Sequence, residues 1–106
     1  MAEVKNNILI DSMEQTFEQC LQIAKRKTQD YATQQDPFKN FRNSKVVGVK
    51  PSRGILVRIL DKISRISNLI DKNAAVKDES IEDTINDAIN YLAILKAQLQ
   101  NERKEK

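Results

Sequence analysis

The chain has 106 residues, 40% hydrophobic and 31% charged, with a net charge of +3. That balance argues against intrinsic disorder, and the length suits one small domain. With only 2 Gly and 2 Pro few turns are encoded, which argues against a many-stranded fold and predicts a few long helices. A chain of this size buries a modest core, and small domains often recover stability by oligomerising. Cys20 is the single cysteine and there is no His, so neither an intrachain disulfide nor a Cys/His zinc site can form. No N-terminal apolar run is long enough for a signal peptide or a membrane span, and a cytosolic protein is expected.

Residues 1–7 read as a loose tail, with Ile8, Leu9 and Ile10 docking just before the first helix. Asp11 or Ser12 can cap that helix. Met13, Phe17, Cys20, Leu21, Ala24 and Thr28 keep helical spacing, so it is expected over about residues 12–32. Cys20 on this stripe reads as a small core residue, because a nucleophile would want a His beside it. Lys25, Arg26 and Lys27 crowd the last turns, where they complement the helix dipole. The functional alternative is that Lys27, near Asp30 and Tyr31, faces a ligand.

Residues 33–50 show no period, and Asp36-Pro37 breaks the helix. Phe38 and Phe41 then flank Lys39-Asn40. Two aromatics in a basic loop are either a plug on the core or a platform for a base. A loop this long in a small domain is usually functional or disordered, and the aromatics argue against disorder. Pro51-Ser52-Arg53 reads as the start of a second helix, since Pro is tolerated in the first turn. Leu56, Ile59, Leu60, Ile63, Ile66 (or Ser67) and Ile70 make its apolar stripe, through about residue 72. The opposite stripe, Arg58, Asp61, Arg65, Asn68 and Lys72, is either a solvated, salt-bridged face or one that meets the next helix. In the second case Asp61 could hold metal and the arginines phosphate.

After a short connector, Asp78 or Ser80 caps a third helix. Its apolar stripe is Ile81, Ile85, Ala88, Leu92, Leu95 and Leu99, and residues 101–106 read as a charged, frayed tail. On this helix Glu79, Asp83 and Asp87 are spaced four apart and so stand in one row. Residues 79–90 hold four acids and no base. Like charges at this spacing cost an isolated helix roughly 0.2–0.5 kcal/mol per pair, which a divalent cation or a basic partner could offset. The helix dipole accounts for the acids of the first turns, though it does not reach Asp87. Residues 39–53, by contrast, carry Lys39, Arg42, Lys45, Lys50 and Arg53 with no acid. A basic loop with an acidic helix fits a metal-bridged phosphate ligand better than a nucleic acid, whose binder would not normally expose an acidic row.

Several short blocks, in order, resemble a known family. They are Asp30-Tyr31-Ala32, Asp36-Pro37-Phe38-Lys39-Asn40-Phe41-Arg42, Gly54-Ile55-Leu56-Val57-Arg58-Ile59-Leu60-Asp61-Lys62 with Arg65 and Asn68-Leu69, and Val76-Lys77-Asp78-Glu79-Ser80 with Asp83-Thr84 and Asp87. Together they look like the nucleotide modification associated domain family, widespread in phages and similar to MazG-like all-α nucleoside triphosphate pyrophosphohydrolases. The resemblance spans about residues 25–97. Asn86-Asp87-Ala88-Ile89-Asn90-Tyr91 matches the last MazG-like block, so Asp87 maps onto its metal-binding Asp, and Asp83 stands one turn earlier, near the family's Glu. Helix two departs from the pattern: it offers only Asp61, with Lys62 and Arg65 where further acids belong.

The resemblance implies an all-α protein of three long helices. One MazG-like domain over residues 1–106 is completed as a bundle by dimerisation or tetramerisation, with a mobile basic loop between helices one and two. It implies Mg²⁺-dependent cleavage of a nucleoside triphosphate to monophosphate and pyrophosphate, in the cytoplasm of a bacterium or a phage-infected host. Glu79, Asp83 and Asp87, with Asp61, would hold the metal. Lys39, Arg42, Arg58 and Arg65 would bind phosphate oxygens. Phe38 or Phe41 would stack on the base, with Asn40 reading its edge and Lys27 and Tyr31 nearby. The thin set of acids on helix two favours an alternative from another class: a non-catalytic protein that sequesters a nucleotide or cyclic-nucleotide signal, for example in phage counter-defence. A third reading is a plain helical interaction module.

Overall fold

The computed structural model describes residues 2–30, 39–72 and 80–104. These form three α-helices, α1 (Ala2–Asp30), α2 (Pro51–Lys72) and α3 (Ile81–Lys104), and one 3-10 helix, Lys39–Val47. No strand occurs among the described residues. The all-helical class read from composition therefore stands. None of these helices is long and apolar enough to cross a membrane.

The chain divides into two compact units, Met1–Ala32 and Thr33–Lys106. The first unit is α1. It starts at Ala2, so the segment read as a tail is helical. Residues 2–12 contain neither Gly nor Pro to stop a helix, and Ala2, Glu3 and Lys5 favour one. Ser12, a candidate cap, lies instead inside the helix, where its carbonyl accepts the Thr16 hydroxyl at 3.0 Å. Cys20 is buried, as its place on the stripe predicted, while Met13, Phe17 and Leu21 stay exposed.

In the second unit α2 and α3 form an antiparallel hairpin. Two cross-links fix the direction: Ser52, at the start of α2, meets Glu102, near the end of α3, and Lys62 meets Asp87. The seam between the helices differs from the expected stripes. On α2 it runs through Ser52, Ile55, Ile59, Lys62, Ile66 and Leu69, all buried or half-buried, with Ile55 fully so. On α3 it runs through Thr84, Ala88, Tyr91, Leu95, Gln98 and Glu102. Leu56, Leu60, Ile63 and Ile70 on α2, and Ile85, Leu92 and Leu99 on α3, were expected in the core and are exposed. Each exposed residue lies one position after a seam residue, about 100° round the helix. Both sets repeat every three or four residues, and the polar Ser52, Lys62, Thr84 and Gln98 hide the inner set from a reading of hydrophobicity alone.

The helix starts follow their local chemistry. Pro51 opens α2 in the first turn, where its missing N–H is no loss. Ser80, one of the two expected caps, holds the start of α3: its Oγ accepts the Asp83 N–H at 3.0 Å. The basic segment expected as a mobile loop is a 3-10 helix of nine residues, long for its kind. It packs on α2, with the Ser44 Cβ 3.2 Å from where a Cβ on Gly54 would lie. Gly48, at φ +78, ends it and turns the chain into α2.

Candidate functional site

An antiparallel hairpin has two sides, and its seam defines them. A local two-fold axis perpendicular to the plane of the two helices relates one helix to the other. Rotation about it carries the residue before each seam position on α2 to the side holding the residue before each seam position on α3. Those residues are Arg58, Asp61 and Arg65 on α2, and Asp83, Asp87 and Asn90 on α3. One side of the hairpin therefore collects all five of the predicted site residues that belong to these helices and are described, and adds Asn90. Glu79, one turn before Asp83, lies outside the described residues.

This side is polar but not a bare acidic row. Asp87 Oδ2 lies 3.3 Å from Lys62 Nζ, with both side chains partly shielded. Lys62 reaches it from the seam, where its spacing with Ile59 and Ile66 points it inward. That spacing was the signal that Lys62 would meet Asp87. Arg58, Asp61, Arg65 and Asp83 are exposed; Asp87 and Asn90 are half-buried.

A magnesium ion takes hard oxygen ligands in octahedral geometry. The row Glu79, Asp83 and Asp87, completed by Asp61, would need its acids to converge. Among the described residues no three acidic side chains do so, and Asp87 already faces an ammonium. Glu79, the remaining acid of that row, lies outside the described residues.

The other predicted ligand residues fall elsewhere. Lys39, Asn40, Phe41 and Arg42 belong to the 3-10 helix. Lys27 is in the last turn of α1, in the other unit, and exposed. Tyr31 and Phe38 lie outside the described residues.

Sequence reasoning missed a polar network at the open end of the hairpin. The Glu102 carboxylate accepts the Ser52 backbone N–H at 3.2 Å and the Ser52 hydroxyl at 2.9 Å. The Gln98 amide donates to it at 2.8 Å. An acid from α3 thus satisfies an orphan N–H in the first turn of α2, where the helix dipole favours negative charge. Burial alone would raise the Glu102 carboxyl; the bonds from Gln98 and Ser52 and the charge of Lys50 outweigh it and hold the group below its usual value. Gln98 is itself 3% exposed, and its Oε1 is the one buried side-chain oxygen or nitrogen without a partner among the described residues. Beside this network an open cleft of about 440 Å³ has Leu56, Leu95 and Leu99 as its floor and Lys50, Arg53 and Arg103 around it. The only hint in the sequence was Ser52 in a first helical turn, and nothing local marks Glu102 as its partner, fifty residues away.

Set against protein-family models, curated proteins and solved structures, the chain matches none.

Proposed function

We propose that this protein binds a nucleotide through the polar side of the α2–α3 hairpin, as the phage-type nucleotide family it resembles would. The observation that carries the reading is the convergence of Arg58 and Arg65 with Asp83, Asp87 and Asn90 on that one side. Two guanidiniums seven residues apart lie nearly in line on α2 and can take phosphate oxygens as charge-assisted, bidentate donors. The basic 3-10 segment lies against the same helix and adds to the positive field. A MazG-like bundle completed by a second copy belongs to this reading.

Two activities fit a nucleotide on this side: pyrophosphohydrolysis with Mg²⁺, and sequestration without turnover. The Lys62–Asp87 ion pair favours sequestration, because it occupies the acid that the hydrolase reading places on metal. The deciding experiment is to incubate the protein with a panel of nucleoside triphosphates and cyclic nucleotides plus Mg²⁺, heat-denature it, and chromatograph the supernatant. Intact nucleotide released only on heating establishes sequestration. Monophosphate and pyrophosphate formed catalytically establish the enzyme. No retention and no turnover of any nucleotide overturns the reading. In the binding case Arg58→Ala and Arg65→Ala should each weaken affinity by about tenfold or more, the usual cost of losing a charge-assisted bond.

A further inference from the structure

The side of the hairpin opposite the polar one is aliphatic. Leu56, Leu60, Ile63 and Ile70 on α2, and Ile85, Leu92 and Leu99 on α3, are all exposed, and each follows a seam residue by one position. Toward the open end of the hairpin this side also carries positive charge. Arg53 stands three residues before Leu56 on α2; on α3, Lys96 and Arg103 stand four residues after Leu92 and Leu99. Residues three or four apart share a helix face, so these cations belong to the aliphatic stripes themselves.

The surface is concave there. The cleft of about 440 Å³ floored by Leu56, Leu95 and Leu99 meets a second, of about 270 Å³, that runs along α3 past Lys96 to Leu92. The two share Leu95, Leu99 and Arg103. Together they make one trough, about 16 Å long from Leu92 to Arg103 at the helical rise per residue. The larger cleft alone has the size of a small-molecule site.

The lining defines the ligand. The floor is leucine, and no aromatic ring lines the trough among the described residues, so nothing there would stack on a base. The rim is cationic: Lys50, Arg53 and Arg103 at the open end, and Lys96 along the side. Glu102, the one acid that lines it, already accepts hydrogen bonds from Ser52 and Gln98. Among the described residues no acid lies within ion-pair distance of Arg53, Lys96 or Arg103. An apolar floor that ends in uncommitted guanidiniums matches a molecule with an aliphatic body and an anionic end.

We propose that this trough binds a long-chain aliphatic carboxylate, its head on Arg53 and Arg103 beside Lys50 and its chain over Leu56, Leu95 and Leu99 toward Leu92. Planar guanidiniums take a carboxylate through paired N–H bonds. Lys96 lays its methylene stem along the chain and keeps its ammonium in water. Glu102 stands ionised beside the head, its bonds holding it below the usual carboxyl range, so a singly charged head is accommodated better than a dianionic phosphate. The site lies on the opposite side of the hairpin from Arg58 and Arg65 and rests on none of the nucleotide chemistry above.

The test is equilibrium dialysis of the full chain against labelled dodecanoate below its micelle concentration. Protein is kept at about 1 μM, where weak self-association is negligible, and circular dichroism verifies that each variant is helical. Dodecanoate should bind saturably, one per chain. Hexanoate, which lacks the chain, and dodecyltrimethylammonium, whose head has the opposite charge, should each bind at least about tenfold more weakly. Arg53→Glu and Arg103→Glu should each weaken dodecanoate binding by about fivefold or more, and Leu99→Gln by a similar factor. Ile70→Gln should leave it unchanged, since Ile70 is exposed on the same side but lies outside the trough. All four residues are exposed, so replacing them spares the core. The proposal is overturned by a lack of saturable binding, or by dodecyltrimethylammonium bound as tightly as dodecanoate. It is overturned equally by indifference to both arginine reversals, or by Ile70→Gln costing as much as Leu99→Gln, the mark of adsorption to any apolar patch. Uptake by anionic phospholipid vesicles with no binding of monomeric dodecanoate also overturns it, and assigns the trough to a membrane surface.

Discussion

Glu102 shows how much a single side chain can do at a helix start. Its carboxylate takes the place of a capping residue for α2, closing the open end of the hairpin from fifty residues away. Ser52→Ala removes the hydroxyl bond and should cost about 1 kcal/mol in urea unfolding. Glu102→Gln keeps the shape but loses the charge, and should cost a similar amount at neutral pH. The pH dependence follows from the direction of the shift. A carboxyl held below its ordinary value gives its stabilisation in full above that value and loses it as pH falls through the folded-state one. The gap between wild type and Glu102→Gln should therefore be largest near neutrality and close in acid. A gap that is constant with pH would mean the charge contributes nothing.

The Lys62–Asp87 pair decides the sign of a second experiment at this scale. An acidic row built for metal predicts that Asp87→Asn stabilises the ligand-free protein by relieving repulsion. The ion pair at 3.3 Å predicts the reverse. Because the pair is only partly shielded, the loss should be about 0.5–1 kcal/mol, short of the cost of a fully buried pair. Thermal melting of Asp87→Asn without nucleotide reads the sign directly.

At the scale of the elements, helix number, the bounds of α2 and the start of α3 were legible, because Pro51 and Ser80 act locally; the end of α3 was not, since it runs to Lys104 through the segment read as a tail. The 3-10 helix was not. It has no period of its own and depends on a neighbour, the bare backbone of α2 at Gly54, beside Ser44. Nor could hydrophobicity choose between adjacent seams on α2: Ile55, Ile59, Ile66 and Leu69 against Leu56, Leu60, Ile63 and Ile70. Both suit a helix, and the chain uses the one containing Ser52 and Lys62 for its own core. The polar side was legible for a different reason: Arg58, Asp61 and Arg65 keep helical spacing on α2, as Asp83 and Asp87 do on α3, so each set shares one face of its helix. The Gly54 contact can be measured. In a helix interior Gly→Ala usually gains about 0.5–1 kcal/mol, but a Cβ here would stand 3.2 Å from the Ser44 Cβ. Gly54→Ala should therefore gain less than that, or lose stability, in the wild-type chain, and recover the gain in a Ser44→Gly background. A double-mutant cycle with no coupling would show that the 3-10 helix does not press on α2.

At the scale of the whole molecule, one short hairpin carries two faces of opposite chemistry, and the seam polarity assigns them. Arg58, Asp61, Arg65, Asp83 and Asp87 stand just before seam residues, and Leu56, Leu60, Ile63, Ile70, Ile85, Leu92 and Leu99 just after them. Among the described residues the core is small; covering the aliphatic face adds stability, and a reversible dimer couples that gain to concentration. If the unfolded chains are monomeric, each tenfold rise in protein concentration adds about 1.4 kcal/mol to unfolding of the dimer, so the melting temperature should climb steadily with concentration. The two faces should also separate genetically. The pair Arg58→Ala/Arg65→Ala should lose nucleotide retention and keep the concentration dependence. Leu92→Glu should abolish the concentration dependence, and retain nucleotide to the extent that one hairpin suffices to hold it. A melting temperature that is flat from about 1 to 100 μM, a range over which a dimer would gain about 2.7 kcal/mol, would show that the aliphatic face is left to solvent.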